Sequence, residues 1–244
     1  MTTGGGPELD RPRHIGELLR DGFALLAGRP LAFLAMGLVF VVPIELVVSG
    51  VGLEQLTAPY VEKVRPVEVV VGALTSYVLV TPLVTVGCAL LVAGAAPTAG
   101  RAAIRTVESS TPLLLAAIAA AVGVAIGLFL LILPGLYLVV RWFLFPQAVA
   151  VEGRTGVAPL RRSGELTEGK WFRAAGVVLL ANLIALLPGG IITIPFAALA
   201  VNVDREWPLM AGQILGEAIT APIVAVIATL LFFDLRARQA QPFG

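Results

Sequence analysis

Three ionisable side chains, Glu45, Arg141 and Glu217, interrupt stretches of sequence that are otherwise apolar. A charge in hydrocarbon costs about 2.5–3.5 kcal/mol on insertion scales, so such a group usually faces a partner or a cavity. Several kinds of chemistry are open to them. Arg141 can pair with one or both glutamates and pin helices together. It can instead hold an anionic or zwitterionic headgroup in a polar cavity that opens outward. Any of the three can also snorkel to the interface. An intramembrane reaction on a lipid headgroup needs two acids, or an acid and a nucleophile, within hydrogen-bond reach of a cleft. Glu45 with Glu217 is the sole pair in the sequence that offers this.

Two longer polar patterns accompany these charges. Tyr77, Thr81 and Thr85 recur at i, i+4, i+8, and Gln213, Glu217 and Thr220 at i, i+4, i+7. Each set shares one helix face. In lipid such side chains bond across helices or back to their own carbonyls, and a solute path is the alternative. No phosphate-binding loop of Walker type, no HExxH and no GxSxG elbow is present. The one histidine, His14, cannot build a triad or a metal site, and Cys88, the one cysteine, reads as a small core residue. No cofactor and no metal is expected.

The elements that must position these residues are spans. Of 244 residues, 58% are hydrophobic and 14% charged, against about 25% charged in a soluble domain. Mean hydropathy is +0.94. A soluble fold of this length could not hide so much apolar surface, so lipid is the solvent. The net charge of +1 offers no basic field for nucleic acid. A span needs roughly 20 apolar residues. The expected spans are 31–50, 67–94, 113–133, 135–151, 173–199 and 209–233. Leu133-Pro134-Gly135 reads as a tight turn between the third and fourth. Leu186-Leu187-Pro188-Gly189-Gly190 predicts a break in the fifth. At 1.5 Å per residue, Glu45, Arg141 and Glu217 fall roughly 8, 9 and 12 Å from the outer ends of their spans, one layer of the outer leaflet.

Thirteen of the seventeen cations lie before the first span, in the 2–3 and 4–5 gaps, or after the last. Lys63, Arg65 and Arg205 lie in the other gaps, and Arg141 within a span. The positive-inside rule then puts both termini in the cytoplasm. The cation-bearing gaps at 14–28, 98–111 and 156–171 carry apolar residues at helical spacing against charged ones, which predicts amphipathic interfacial helices. Each precedes a pair of spans. The expected organisation is therefore an all-α integral membrane domain over 14–238, with three units at 14–94, 98–151 and 156–233. Residues 1–13 read as a disordered leader and 239–244 as a tail. Small residues at four-residue spacing, Ala119, Gly123 and Gly127 and again Gly212 and Gly216, suit close helix packing.

The segment 133–180, from LPGLYLVVRW to GKWFRAAGVVLL, resembles the signature of a bacterial, actinobacterial-type membrane family named for the membrane domain of glycerophosphoryl diester phosphodiesterases. The ending TLLFFDLRAR at 229–238 and the opening IGELLRDGFALLAGRPLAF at 15–33 resemble it too. The most specific parts are the Pro134-Gly135 turn, Glu152-Gly153, Leu160-Arg161-Arg162-Ser163 and Asp234-Leu235-Arg236. The resemblance implies a helical bundle in a bacterial plasma membrane and not the phosphodiesterase reaction, because no catalytic domain of that kind is seen here. Glu152, Arg161, Arg162, Trp171, Asp234 and Arg236 are expected to anchor the cytoplasmic face. Basic side chains gain about 1 kcal/mol each near anionic headgroups. Membrane lipids are the expected partners, with a protein docking surface at 160–163 as the runner-up. The expected function is a non-enzymatic module, namely a lipid-associated scaffold, assembly factor or regulator. The alternatives are a small transporter with a cavity around Arg141 and an intramembrane enzyme.

Overall fold

In hydrocarbon a backbone can satisfy its polar groups only as helix or closed barrel, and the long Leu/Val/Ala/Ile runs here take the first course. The computed structural model describes residues 9–48, 59–60, 72 and 74–240. It is all-helical, with no strand among the described residues. In chain order the helices are α1 (Ile15–Gly28), α2 (Pro30–Val48) and α3 (Thr81–Val92), the last entered through a π turn at Ser76–Val80. Then come α4 (Ala99–Glu108), α5 (Ser110–Leu130), α6 (Ile132–Trp142) and α7 (Phe145–Glu152). The series ends with α8 (Ala158–Thr167), α9 (Trp171–Val203) and α10 (Trp207–Ala240). Five stretches are long and apolar enough to cross a membrane: α2, α5, α6 with α7, α9 and α10; Ser76–Val92 is a shorter apolar helix. The chain is a multi-helix membrane protein. Most of the first part of the expected second span lies outside the described residues, as do Lys63 and Arg65.

The bundle is arranged around α10, the most deeply buried of the five, which packs against α9, α2, α3 and α1. Close approach is set by missing side chains. A Cβ on Gly37 of α2 would lie 1.9 Å from the Ala218 carbonyl oxygen of α10, so only glycine lets these two backbones cross. Leu18, Leu144, Leu166, Ile227, Leu231 and Phe232 close one core cluster near the C-terminal half of α10. By contrast α9 is the least buried of the long helices, and its Leu179, Leu186, Ile191 and Ile194 face outward.

Four expectations about local structure are corrected. The turn between the third and fourth spans is made by Leu131, which is extended (φ −162°, ψ 142°), and Pro134 and Gly135 lie inside α6. The first four N–H groups of a helix have no intrahelical partner, so a proline there forfeits nothing. The fourth span is not one helix. It stops at Trp142 and restarts at Phe145 with Pro146 in its first turn. The fifth span does not break. α9 runs unbroken from Trp171 to Val203 through Pro188 and Pro195. Its wall against α10, where Thr193 donates to the Gly212 carbonyl at 3.4 Å, supports it, as neighbours do for prolines in membrane helices. Finally, residues 9–13 of the expected leader are held by side chains of α1 and α10, as described below.

Candidate functional site

The break in the fourth span frees backbone groups, and α8 takes them up. Ser163 Oγ donates to the Arg141 carbonyl at 2.7 Å and accepts from the Leu144 N–H at 3.1 Å. One hydroxyl thus bridges the last turn of α6 and the first of α7. Ser163 and Leu144 are both fully buried, where an unmade bond would be costly. Gly164 lies beneath the Arg141 guanidinium, whose atoms would be 3.1–3.3 Å from an added Cβ. Gly153, in the left-handed conformation at φ 63°, ends α7 and turns the chain toward α8. With that turn made, Glu152 accepts from Arg162 Nε at 3.0 Å and Arg154 Nε at 2.6 Å. Arg162 also reaches Gln239 of α10 at 3.0 Å. The conspicuous sequence around 152–163 is therefore a splice for a broken helix, clamped to α10.

Beside that splice lies a cavity of about 550 Å³, partly open, bordered by the Ser76–Val92 helix, α6, α7, α9 and α10. Most of its wall is apolar, including Val139, Phe143, Phe145, Leu186 and Val224. Its polar members are Tyr77, Thr81, Thr85, Gln147, Asn182, Thr193, Glu217 and Thr220, with no Lys, Arg or His among them. Asn182 is committed to the Val178 carbonyl at 2.8 Å, and Thr220 to the Glu217 carbonyl at 3.4 Å. Ser76 Oγ donates to Glu217. Gln147 is fully buried, and neither atom of its amide has a hydrogen-bond partner among the described residues.

A second polar region closes the C-terminal end of α10. The Asp234 carboxylate is fully buried and accepts from the Arg13 N–H at 2.7 Å, Arg173 Nε at 3.0 Å and Arg238 Nε at 3.0 Å. Arg238 Nη2 and Arg173 Nη2 also donate to the Arg13 carbonyl, the former at 2.9 Å. The buried Arg13 side chain meets Asp21 of α1 at 3.3 Å and the Leu9 carbonyl at 2.7 Å. Arg236 pairs with Asp10 and lies 4.8 Å from the Phe233 ring centroid. Lys170, just before α9, is pushed below its ordinary value by burial first and by the Arg238 charge next, with Asp234 opposing.

The structure groups the predicted residues differently from their spacing along the chain. Tyr77, Thr81 and Thr85 meet Glu217 and Thr220 across the cavity, while Gln213 is exposed and is not among its lining residues. Glu45 is half-buried on α2, which packs against the helix that bears Glu217. Arg141 does not join them. It donates to the Tyr137 hydroxyl at 2.9 Å and has no carboxylate within ion-pair distance among the described residues. Trp171 stacks on Tyr137 with ring centroids 5.9 Å apart and donates to its carbonyl at 3.2 Å. Of the expected anchors, Arg161 is largely exposed and pairs with Glu165 at 3.0 Å. Glu152, Arg162, Asp234 and Arg236 are spent on internal contacts. Cys88 is fully buried.

Sequence reasoning missed Gln147, Asn182 and Arg13, and it read Ser163 as part of an interfacial anchor or docking surface rather than as the bridge across the broken span. Gln147 and Asn182 did carry a signal, since each is a lone amide in an apolar run. Arg13, in a Gly/Pro-rich stretch, carried none.

Fold and site together define an all-helical membrane protein whose bundle encloses a mostly apolar cavity with a polar face. The chain belongs to the family described as a domain of unknown function, DUF7847, whose model matches residues 71–235. That segment contains every lining residue of the cavity and Asp234, but not α1 or α2. No curated protein and no solved structure matches the chain.

Proposed function

We propose that this protein is a non-enzymatic, lipid-associated module of a bacterial plasma membrane that holds a small apolar molecule within its bundle. The observation that carries this reading is the cavity, whose size falls in the range of ordinary ligand pockets, roughly 300–1,000 Å³. Its few polar side chains are set among apolar ones, which suits a ligand that partitions into lipid. The resemblance to the membrane domain of glycerophosphoryl diester phosphodiesterases points to the same lipid setting. In this reading both termini are cytoplasmic and the six spans form three hairpins. α1 and α4 lie in the interface, since Phe23, Ile104 and Val107 are exposed beside exposed Arg20, Arg101 and Arg105. Arg20, Arg29, Arg101, Arg105 and Arg161 are exposed and are among the cations available to anionic headgroups. α8 departs from the interfacial pattern, because Leu160, Ser163, Leu166 and Thr167 are buried against the splice.

Native mass spectrometry of the full chain, gently extracted from membranes, tests the reading. A retained small molecule is expected on the wild type and not on Val224→Phe, which narrows the cavity. Equal spectra from the two, with nothing retained, would sink it. A second reading is solute passage, favoured by Tyr77, Thr81 and Thr85 following one another along the cavity wall. It predicts saturable uptake into proteoliposomes, which a binding module does not give.

A further inference from the structure

The cavity has a definite electrostatic character. Among the described lining residues its one carboxylic acid is Glu217, which accepts a hydrogen bond from Ser76. Glu45 is half-buried on α2, which packs against α10. Neither carboxylate has a cationic partner among the described residues. Elsewhere the chain places arginines against acids repeatedly, as at Asp234, Glu152 and Asp21. The cavity lacks any. A carboxylate in a mostly apolar setting, with no cation among the described lining residues, repels phosphate, sulfate or carboxylate and attracts a positive group.

The second feature is Gln147. It borders the same cavity, is fully buried, and both its amide donor and its amide acceptor are unused. An unsatisfied buried polar group costs about 1–3 kcal/mol, and native interiors leave few such groups without a reason. A primary amide is matched by a ligand group that both accepts and donates, such as a carboxamide. Between these two polar points the walls are Val139, Phe143, Phe145 and Val224, which suit an alkyl or aryl body.

We infer that the cavity binds an apolar molecule carrying a protonated amine, with the ammonium on Glu217 and a neutral donor–acceptor group on Gln147. The inference rests on the binding-module reading and names its ligand class. The amine can be a free lipophilic amine or the head of an aminolipid; the recognition chemistry at Glu217 is the same.

The test is equilibrium dialysis of radiolabelled 4-phenylbutylamine against the full chain in phosphatidylcholine nanodiscs, with 4-phenylbutanol as the neutral match and 4-phenylbutanoate as the anion. The amine is expected to bind saturably, at least about tenfold tighter than the alcohol, a difference of about 1.4 kcal/mol, with the acid weakest. Glu217→Gln should remove that preference while leaving alcohol binding in place. Adding a carboxamide to the ring, as in 4-(4-aminobutyl)benzamide, should tighten binding to the wild type and not to Gln147→Leu. Competition by phosphatidylethanolamine would assign the amine to a lipid head, and lack of competition to a free amine; both uphold the inference. Equal binding of amine and alcohol, or an amine affinity unmoved in Glu217→Gln, overturns it while sparing the cavity reading. If no probe binds and Val224→Phe changes nothing, the cavity reading fails as well.

Discussion

Glu217 and Asp234 sit on the same helix, seventeen residues apart, roughly 26 Å along its axis, and their surroundings are opposite. Asp234 is completely buried and receives donors from the segment before α1, from α9 and from its own helix. Glu217 is half-buried, has Ser76 as its hydrogen-bond partner, and shares its cavity with an amide that has none. A buried carboxylate surrounded by arginines is a structural joint, because removing one partner strands the others. A carboxylate and an amide left open at a cavity contribute little to folding and remain free for something else. The same helix thus fastens at one end and is left receptive toward the other.

The sharpest way to break this contrast is at the joint. Asp234→Ala leaves the charges of Arg173 and Arg238 without their carboxylate and the Arg13 N–H without its acceptor, and truncating one partner of a buried pair costs roughly 3–5 kcal/mol. Thermal unfolding in detergent should fall steeply, or little folded protein should be recovered. Wild-type-like melting would remove the claim that this end is structural. Next is the splice. Ser163→Ala strands the Leu144 N–H and the Arg141 carbonyl, so a loss of about 1–3 kcal/mol is expected, with Ser163→Thr retaining more than Ser163→Ala.

At the cavity the sign should reverse. Gln147→Leu replaces an unpartnered amide by an apolar side chain of similar size, so the unliganded protein should gain about 1–2 kcal/mol. A midpoint lower than that of the wild type would show that Gln147 belongs with the joint. The smallest effect is expected at α1. Glu17 is held below its ordinary carboxylate value first by the His14 N–H, 2.9 Å away. A folded value below the unfolded one means that this stabilisation is present above the ordinary carboxylate range. It is lost as pH falls through the lowered folded value. Melting between about pH 3 and 6 should therefore be flatter for Glu17→Gln, the interval spanning the ordinary value of 4.5.

The helical membrane class, five of the span positions and the cavity-facing threonines were legible because hydrocarbon leaves the backbone few choices and because period-3.6 spacing fixes a face. The tripartite position of Arg141, Glu45 and Glu217 was not. Rise per residue assigns depth on an assumed straight helix, and the break at Phe143–Leu144, together with the unseen grip of α8, takes Arg141 out of that frame. Proline was read too literally as punctuation. Pro134 and Pro146 sit harmlessly in first turns and Pro188 lies within a continuous helix, and what decides between these outcomes is the neighbouring helix, which local sequence does not contain. Arg13 was illegible for the same reason, since its partner Asp234 lies 221 residues away.

That separation bears on the order in which the chain is completed. A ribosome delivers Arg13 long before Asp234, and domains made by ribosomes assemble as their parts emerge. Until α10 is made, the Arg13 N–H lacks its Asp234 acceptor and Arg173 lacks its counter-ion. The joint between residues 9–14 and α10 thus closes only after α10 is made. A nascent bundle lacking α10 would carry Arg173 without its Asp234 counter-ion, a mark by which quality-control machinery would tell unfinished copies from finished ones.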